Sequence, residues 1–208
     1  MTGLVDRFGR VHTDLRISLI DKCNLRCTYC LPAEGVPWLP KDELLTREEI
    51  RAVAAVAVEC GITEIRLTGG EPLLRRDLTE LVGDLATLEG EDGPVELSLT
   101  TNGIGLDKVA PALAEAGLAR VNVSLDTLDP ALFHRMTRRD RHADVLAGID
   151  AALAADLRPV KINTVLMRDQ NDHEAADLLA WAVERGVELR FIEQMPLDAD
   201  HIWERSSM

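Results

Sequence analysis

Three of the four cysteines in this chain lie within eight residues, Cys23-Asn24-Leu25-Arg26-Cys27-Thr28-Tyr29-Cys30, spaced C-x3-C-x2-C and followed by Leu31-Pro32. A turn this short can bring several thiolates to one soft metal centre without help from distant chain. A structural zinc site wants four closed ligands, and no fourth lies close by: the nearest histidine is His12 and the next cysteine is Cys60. A cubane iron–sulfur cluster held by three thiolates keeps one iron open, and an open metal position is where a small molecule can bind and react.

The elements that must position this loop alternate short β-branched runs with longer helical patterns, which implies parallel strands joined by right-handed helical crossovers. The expected strands are 15–20, 64–68, 95–100, 120–125, 160–166 and 187–193. Helices are expected near 46–59, 76–88, 106–116, 143–156 and 172–184, with a turn at 90–94 and a short helical piece after the fourth strand. Thr46 with Glu49 three residues on forms a capping box at the first helix.

Parallel strands covered on both faces usually read as continuous apolar runs. These do not. Arg16 and Ser18, Glu64, Arg66 and Thr68, Glu96, Ser98 and Thr100, Asn122, Ser124 and Asp126, and Lys161 and Asn163 each share one parity, while Ile17, Ile65, Leu67, Leu97, Leu99, Val121, Val123 and Ile162 hold the other. Successive side chains point to opposite faces, so the strands present one polar face, to which Arg190 and Gln194 add a sixth contribution. The apolar parity packs under helices. Burying the polar parity dry costs roughly 1 to 3 kcal/mol per unpaired group, which favours a wet or ligand-filled lumen over an interior paired within itself. The expected fold is α/β: an open, partial (βα)6 barrel of TIM type with ligands at the C-terminal strand ends. Those ends carry the cysteine loop, Thr68-Gly69-Gly70-Glu71-Pro72, Thr100-Thr101-Asn102-Gly103, Ser124-Leu125-Asp126 and Glu193-Gln194-Met195-Pro196. Gly69 and Gly70 would let a ligand approach the backbone, and Glu71 would hold an ammonium group; the bland alternative is a tight strand-to-helix turn.

Composition excludes other classes. The formal charge is −13, with 46% apolar and 28% charged residues, so a basic footprint for nucleic acid or an anionic membrane is not expected. Seven aromatics (three Trp, one Tyr, three Phe) leave little to stack on bases. No stretch reaches signal-peptide or membrane-span character, and clustered reduced cysteines fit the cytoplasm. At 208 residues the chain can bury a sizeable single core.

Together, the C-x3-C-x2-C loop and Gly-Gly-Glu-Pro resemble radical S-adenosylmethionine (SAM) enzymes. More closely, GRVHTDLRISLIDKCNLRCTYCLP, IRLTGGEPLLRRDL, LTTNG, VNVSLDTLDPALFHRMTRRD, VKINTV and LRFIEQMPLD resemble the GTP 3′,8-cyclase family that opens molybdenum-cofactor biosynthesis, with Ile20 and Leu31 where Thr and Met are more usual. The resemblance implies that Cys23, Cys27 and Cys30 ligate one four-iron four-sulfur cluster. It implies SAM at Tyr29, Gly69, Gly70, Glu71, Ser124 and Met195, GTP at Arg16, Arg66, Thr100 and Lys161, and no catalytic side chain beyond the cluster ligands. A flavodoxin or ferredoxin would supply electrons, and a homodimer is an open option.

The whole chain, 1–208, is read as one radical SAM core barrel with its cluster loop at 21–40. Members of the family continue into a sixth helix, a second three-cysteine cluster site and a Gly-Gly tail; no cysteine follows Cys60, so a C-terminally truncated chain is expected, its sixth helix missing or incomplete. As given, the chain is expected to be a fragment competent for cluster and SAM binding but not for full cyclisation, and without that helix Leu189 and Phe191 would lose cover, making this length marginally stable or self-associating. Cys60 is expected as a buried thiol on an apolar helix face with Val53, Val56 and Ala57, and the five histidines as surface or incidental. Two alternatives stay open: another radical SAM enzyme, such as a peptide-modifying one, and a non-catalytic metal-binding module.

Overall fold

The computed structural model describes residues 3–195. Six parallel strands form one sheet in sequence order: β1 (Asp14–Ser18), β2 (Glu64–Thr68), β3 (Glu96–Thr101), β4 (Arg120–Ser124), β5 (Lys161–Leu166) and β6 (Glu188–Glu193). Helices α1 (Arg47–Glu59), α2 (Leu78–Ala86), α3 (Leu106–Glu115), α4 (Pro130–Thr137), α5 (His142–Ala154) and α6 (Ala175–Arg185) connect them. Every neighbouring pair is parallel, and β1 and β6 stand as the two edges, so the sheet is an open barrel as expected. The helix expected after β6, the sixth of the barrel's βα units and read as missing or incomplete, falls on 196–208, outside the described residues.

Alternation within each strand produces the two faces. Ile65, Leu67, Leu97, Leu99, Val121, Val123 and Ile162 are fully buried and share a core with Ala54, Leu81, Leu85, Leu106, Leu113 and Ile149 from the helices. Each large aliphatic side chain so buried contributes about 1.5 to 3 kcal/mol. The opposite parity, Arg66, Ser98, Thr100, Asn122, Lys161 and Asn163 among it, faces away from the helices into the lumen. On β6, Leu189 packs against the core while Phe191 stays 45% exposed.

Helix α1 starts as its sequence dictates. Thr46 Oγ1 accepts from Glu49 N at 3.2 Å, and Glu49 Oε2 accepts from Thr46 N at 2.8 Å. Its buried stripe is Ile50, Ala54 and Val58, however, and Val53 and Val56 are 55% and 60% exposed. The helix carries two apolar stripes, and the one with small Ala54 at its centre allows the closer approach to the sheet. Cys60 is therefore the half-buried C-cap of α1 rather than a core thiol. The turn expected at 90–94 is the tip of a small antiparallel hairpin pairing Glu89–Gly90 with Gly93–Pro94, and a second hairpin, Leu4–Val5 with Val11–His12, precedes the barrel. No helix among the described residues is long and apolar enough to cross a membrane.

Candidate functional site

The cysteine loop hangs from four places. From β1, Leu19 N donates to Thr68 O, after which Gly70 N donates to Ile20 O at 2.6 Å and Glu71 N to Lys22 O at 2.7 Å. These bonds lay the loop directly over the turn after β2. A Cβ on Gly69 would stand 2.4 Å from Ile20 O, and one on Gly70 2.2 Å from Asp21 O and 2.4 Å from Lys22 O. What needs the glycines here is the loop's own backbone. At the end of β3, Asn102 Nδ2 donates to Asn24 Oδ1 at 2.7 Å and lies 3.9 Å from Cys23 Sγ. Helix α4 supplies the fourth anchor: Met136 O and Thr137 O accept from Thr28 N and Arg26 N, and Arg138 Nη1 donates to Arg26 O and Leu31 O at 2.9 and 3.0 Å. Arg26 closes the first arc by donating to Cys23 O and Leu25 O while lying 5.2 Å over the Trp38 ring.

All three loop cysteines are free, Cys23 and Cys27 half-buried and Cys30 exposed. Burial pushes the Cys23 and Cys30 thiols up from their ordinary value, and pushes Cys27 further, with the Asp126 carboxylate adding to it. Unmetallated thiolates are thus disfavoured, and a cationic metal centre would supply the compensating charge. Among the described residues no three His, Cys, Asp or Glu are gathered as ligands of a single ion would be. Cubane ligation asks for less convergence, because each thiolate takes its own iron, and three free thiols on one anchored loop fit that group.

Glu71 is placed differently from the expectation. It is fully buried; Oε1 accepts from Thr101 Oγ1 and Leu73 N, and Oε2 from Asn102 N at 2.7 Å. Burial raises its pKa while those donors lower it. With both oxygens engaged, Glu71 ties the ends of β2 and β3 together. A cavity of about 290 Å³ is lined by Ser18, Ile20, Asp21, Leu39, Leu44, Gly69 and Gly70.

Tyr29 turns inward from the loop, its hydroxyl 2.6 Å from Asp126 Oδ2 just beyond β4. Burial raises Tyr29 well above its ordinary value, and it raises Asp126 to about 6 against the bonds from Tyr29 and Val165 N. Asp126, expected at the end of its strand, belongs to a buried layer whose other members, Thr127, His142, Asn171 and Glu174, sequence reasoning missed. Asn171 Nδ2 donates to Asp126 O and Val165 O while its Oδ1 accepts from Met167 N. Glu174 accepts from Thr127 Oγ1 and Leu128 N. His142, expected at the surface, is 6% exposed, 3.2 Å from Thr127 O and edge-on to Phe133. The polar run Asp126-Thr127 between apolar neighbours was the available signal. Ser124 sits half-buried beside Asn163 in register, whereas Met195 is 56% exposed at the end of the described residues.

The lumen holds the other expected group. Arg16 and Arg66 are in register, as are Thr100, Asn122 and Lys161. These cations do not stand alone. Arg66 Nη2 contacts Glu64 Oε1 at 2.9 Å, Lys161 Nζ contacts Glu188 Oε2 at 3.2 Å, and Arg120, which parity reasoning overlooked, pairs with Glu64 and Glu96. Burial would raise Glu64, but Arg66 and Arg120 bring it down to about 2. For Arg16 and Arg190 no ion pair is found among the described residues. Six buried side-chain polar atoms among the described residues lack a hydrogen-bond partner, and three of them, Arg66 Nε, Asn122 Oδ1 and Asn163 Oδ1, belong to this lumen.

The chain is 61% identical over 206 residues to the GTP 3′,8-cyclase of Streptomyces coelicolor, covering 99% of this chain and 60% of that protein. It is 57% identical over 207 residues to the GTP 3′,8-cyclase of Paenarthrobacter nicotinovorans, covering 99% of this chain and 58% of that one. It therefore spans about 60% of the length of these curated relatives. In fold, Streptococcus suis SuiB bound to S-adenosylmethionine matches with a TM-score of 0.70 at 19% identity, over 88% of this chain and 41% of that one. Methylornithine synthase (PylB) matches with a TM-score of 0.71 at 16% identity, over 95% and 58%. The family model for the Radical SAM superfamily matches residues 17–182, from β1 through the loop and the lumen strands into α6, and to that superfamily the chain belongs.

Proposed function

We propose that this chain is the SAM- and nucleotide-binding core of a GTP 3′,8-cyclase, joining ribose C3′ of GTP to guanine C8 in the first step of molybdenum-cofactor biosynthesis. Cys23, Cys27 and Cys30 would hold a single four-iron four-sulfur cluster on this chain. Bound there, the cluster would supply the electron that cleaves SAM to a 5′-deoxyadenosyl radical, the source of the hydrogen abstraction. The chain's own residues do the rest. The Gly69–Gly70 backbone, Tyr29, Ser124 and Met195 position SAM, with Glu71 fixing the strand ends beneath it. Arg16, Arg66 and Lys161 take the triphosphate, for which guanidinium groups give forked contacts, and Thr100 borders the same layer. Reduction by a flavodoxin or ferredoxin in the cytoplasm completes the reading.

The observation that carries the nucleotide half is the lumen's own chemistry: Arg16, Arg66 and Lys161 on three strands, the last two paired with Glu64 and Glu188 that a triphosphate would displace, beside buried polar atoms left without hydrogen-bond partners. A peptide-modifying radical SAM enzyme would not need these cations under an acidic exterior. Equilibrium binding of GTP to the reconstituted protein tests the proposal. Binding should weaken about tenfold or more in Arg66→Ala and Lys161→Ala; GTP binding unchanged in both variants, or absent in the parent protein, would overturn it.

A further inference from the structure

The two lumen asparagines occupy a seam. Asn122 is in register with Thr100 on one side and Lys161 on the other, both in the proposed nucleotide layer, and two residues before Ser124 in the proposed SAM layer. Asn163 is the mirror case: in register with Ser124, and two residues beyond Lys161. One inward step along a strand is about 6.6 Å, so Asn122 lies level with the nucleotide residues one step from Ser124, and Asn163 lies level with Ser124 one step from Lys161, and the two face the boundary from its two sides. Whatever part of the substrate reaches the SAM end while its phosphates stay on the cations must cross this seam.

Both carboxamides are incomplete on that side. Asn122 spends Nδ2 on Thr100 Oγ1 at 3.2 Å, leaving Oδ1 buried and without a partner. Asn163 Oδ1 is also buried without a partner. A buried acceptor left unmade costs stability, and the partner that removes the cost must be a donor. In GTP the phosphates offer only acceptors, while the sugar hydroxyls and the guanine N1–H and amino group offer donors; of these the sugar hydroxyls are the donors next to the phosphates, and so the ones within one strand step of Lys161 and Thr100. Building on the GTP reading above, we infer that Asn122 and Asn163 accept hydrogen bonds from the ribose hydroxyls. They thereby hold the sugar against the SAM layer and select ribonucleotides over deoxyribonucleotides. A site built to hydrogen-bond a hydroxyl rejects the analogue lacking it, because the acceptor is then buried unpaired.

The test is equilibrium binding of GTP, 2′-deoxy-GTP and 3′-deoxy-GTP to the anaerobically reconstituted protein with SAM present. It is run on the parent protein and on Asn122→Ala and Asn163→Ala. The parent should bind at least one deoxy analogue about tenfold more weakly than GTP. At least one variant should lose about tenfold for GTP while holding that analogue within twofold of the parent. The analogue series on the parent needs no variant, so a misfolded substitution does not blunt it. GTP binding with no preference over either analogue, or variants that weaken all three nucleotides alike, would overturn the sugar assignment and leave the GTP reading standing. No GTP binding by the parent would remove both.

Discussion

Tyr29 donates a 2.6 Å hydrogen bond to Asp126, 97 positions further along the chain. The bond joins the middle of the cysteine loop to the end of β4, while Val165 N holds the other carboxylate oxygen from β5. Tyr29→Phe keeps the ring's packing against Leu132, Met136 and Met167 and removes only the donor. It should cost about 1 to 3 kcal/mol, since a buried carboxylate oxygen loses its partner. Chemical denaturation should show that loss together with fewer iron atoms retained after reconstitution; both unchanged would show that the loop does not depend on this tie.

The glycines after β2 separate loop docking from general stability. A Cβ at Gly70 meets backbone atoms that cannot rotate away, whereas at Gly83, within α2, nothing lies within 4 Å. Gly70→Ala should destabilise by about 3 kcal/mol or more and impair iron loading. Gly83→Ala should stabilise by about 0.5 to 1 kcal/mol through helix propensity. Denaturation midpoints that fail to separate the two variants would place the docking elsewhere.

Arg138 clamps the segment carrying Cys27 and Cys30 through two carbonyls. Arg138→Gln should leave the barrel's cooperative melt within about 2 kcal/mol of the parent, on the scale of lost hydrogen bonds. Hydrogen exchange at the Arg26 and Thr28 amides, which α4's carbonyls protect, should become faster. Arg138→Lys, able to keep one bond, should fall between the two. Exchange identical in all three proteins would remove Arg138 from loop positioning.

Glu64 gives the lumen a pH dependence of known sign. Its carboxyl is held at about 2 in the folded chain against an ordinary 4.5, so its stabilising contribution is complete above the ordinary value and is lost as pH falls through the folded one. Melting temperature should therefore drop between about pH 4.5 and 2, and Glu64→Gln should show a shallower drop over that window. Equal slopes would mean that the Arg66 and Arg120 contacts do not persist in solution.

Much of this was legible from local pattern. Period-two alternation gave all six barrel strands and the polar face, because covering one parity with helices leaves the other no choice. The Thr46–Glu49 capping box forms because both partners lie within one turn. What escaped depends on distant chain. Glu71 reads as a free carboxylate until β3 brings Thr101 and Asn102 over it, and His142 reads as a surface residue until α5 packs it on Thr127 and Phe133. Arg120 was passed over because it stands at the first position of its strand, where parity is hardest to assign. Its pairing with Glu64 and Glu96 needs three neighbouring strands in register.

The most direct measurement is anaerobic reconstitution of the chain with iron and sulfide, followed by SAM and dithionite with product analysis for 5′-deoxyadenosine. The expected result is about four irons per chain and dithionite-dependent 5′-deoxyadenosine, both abolished by replacing Cys23, Cys27 or Cys30 with Ala. Stoichiometric zinc in place of iron, or a loaded cluster that yields no 5′-deoxyadenosine from SAM, would contradict it.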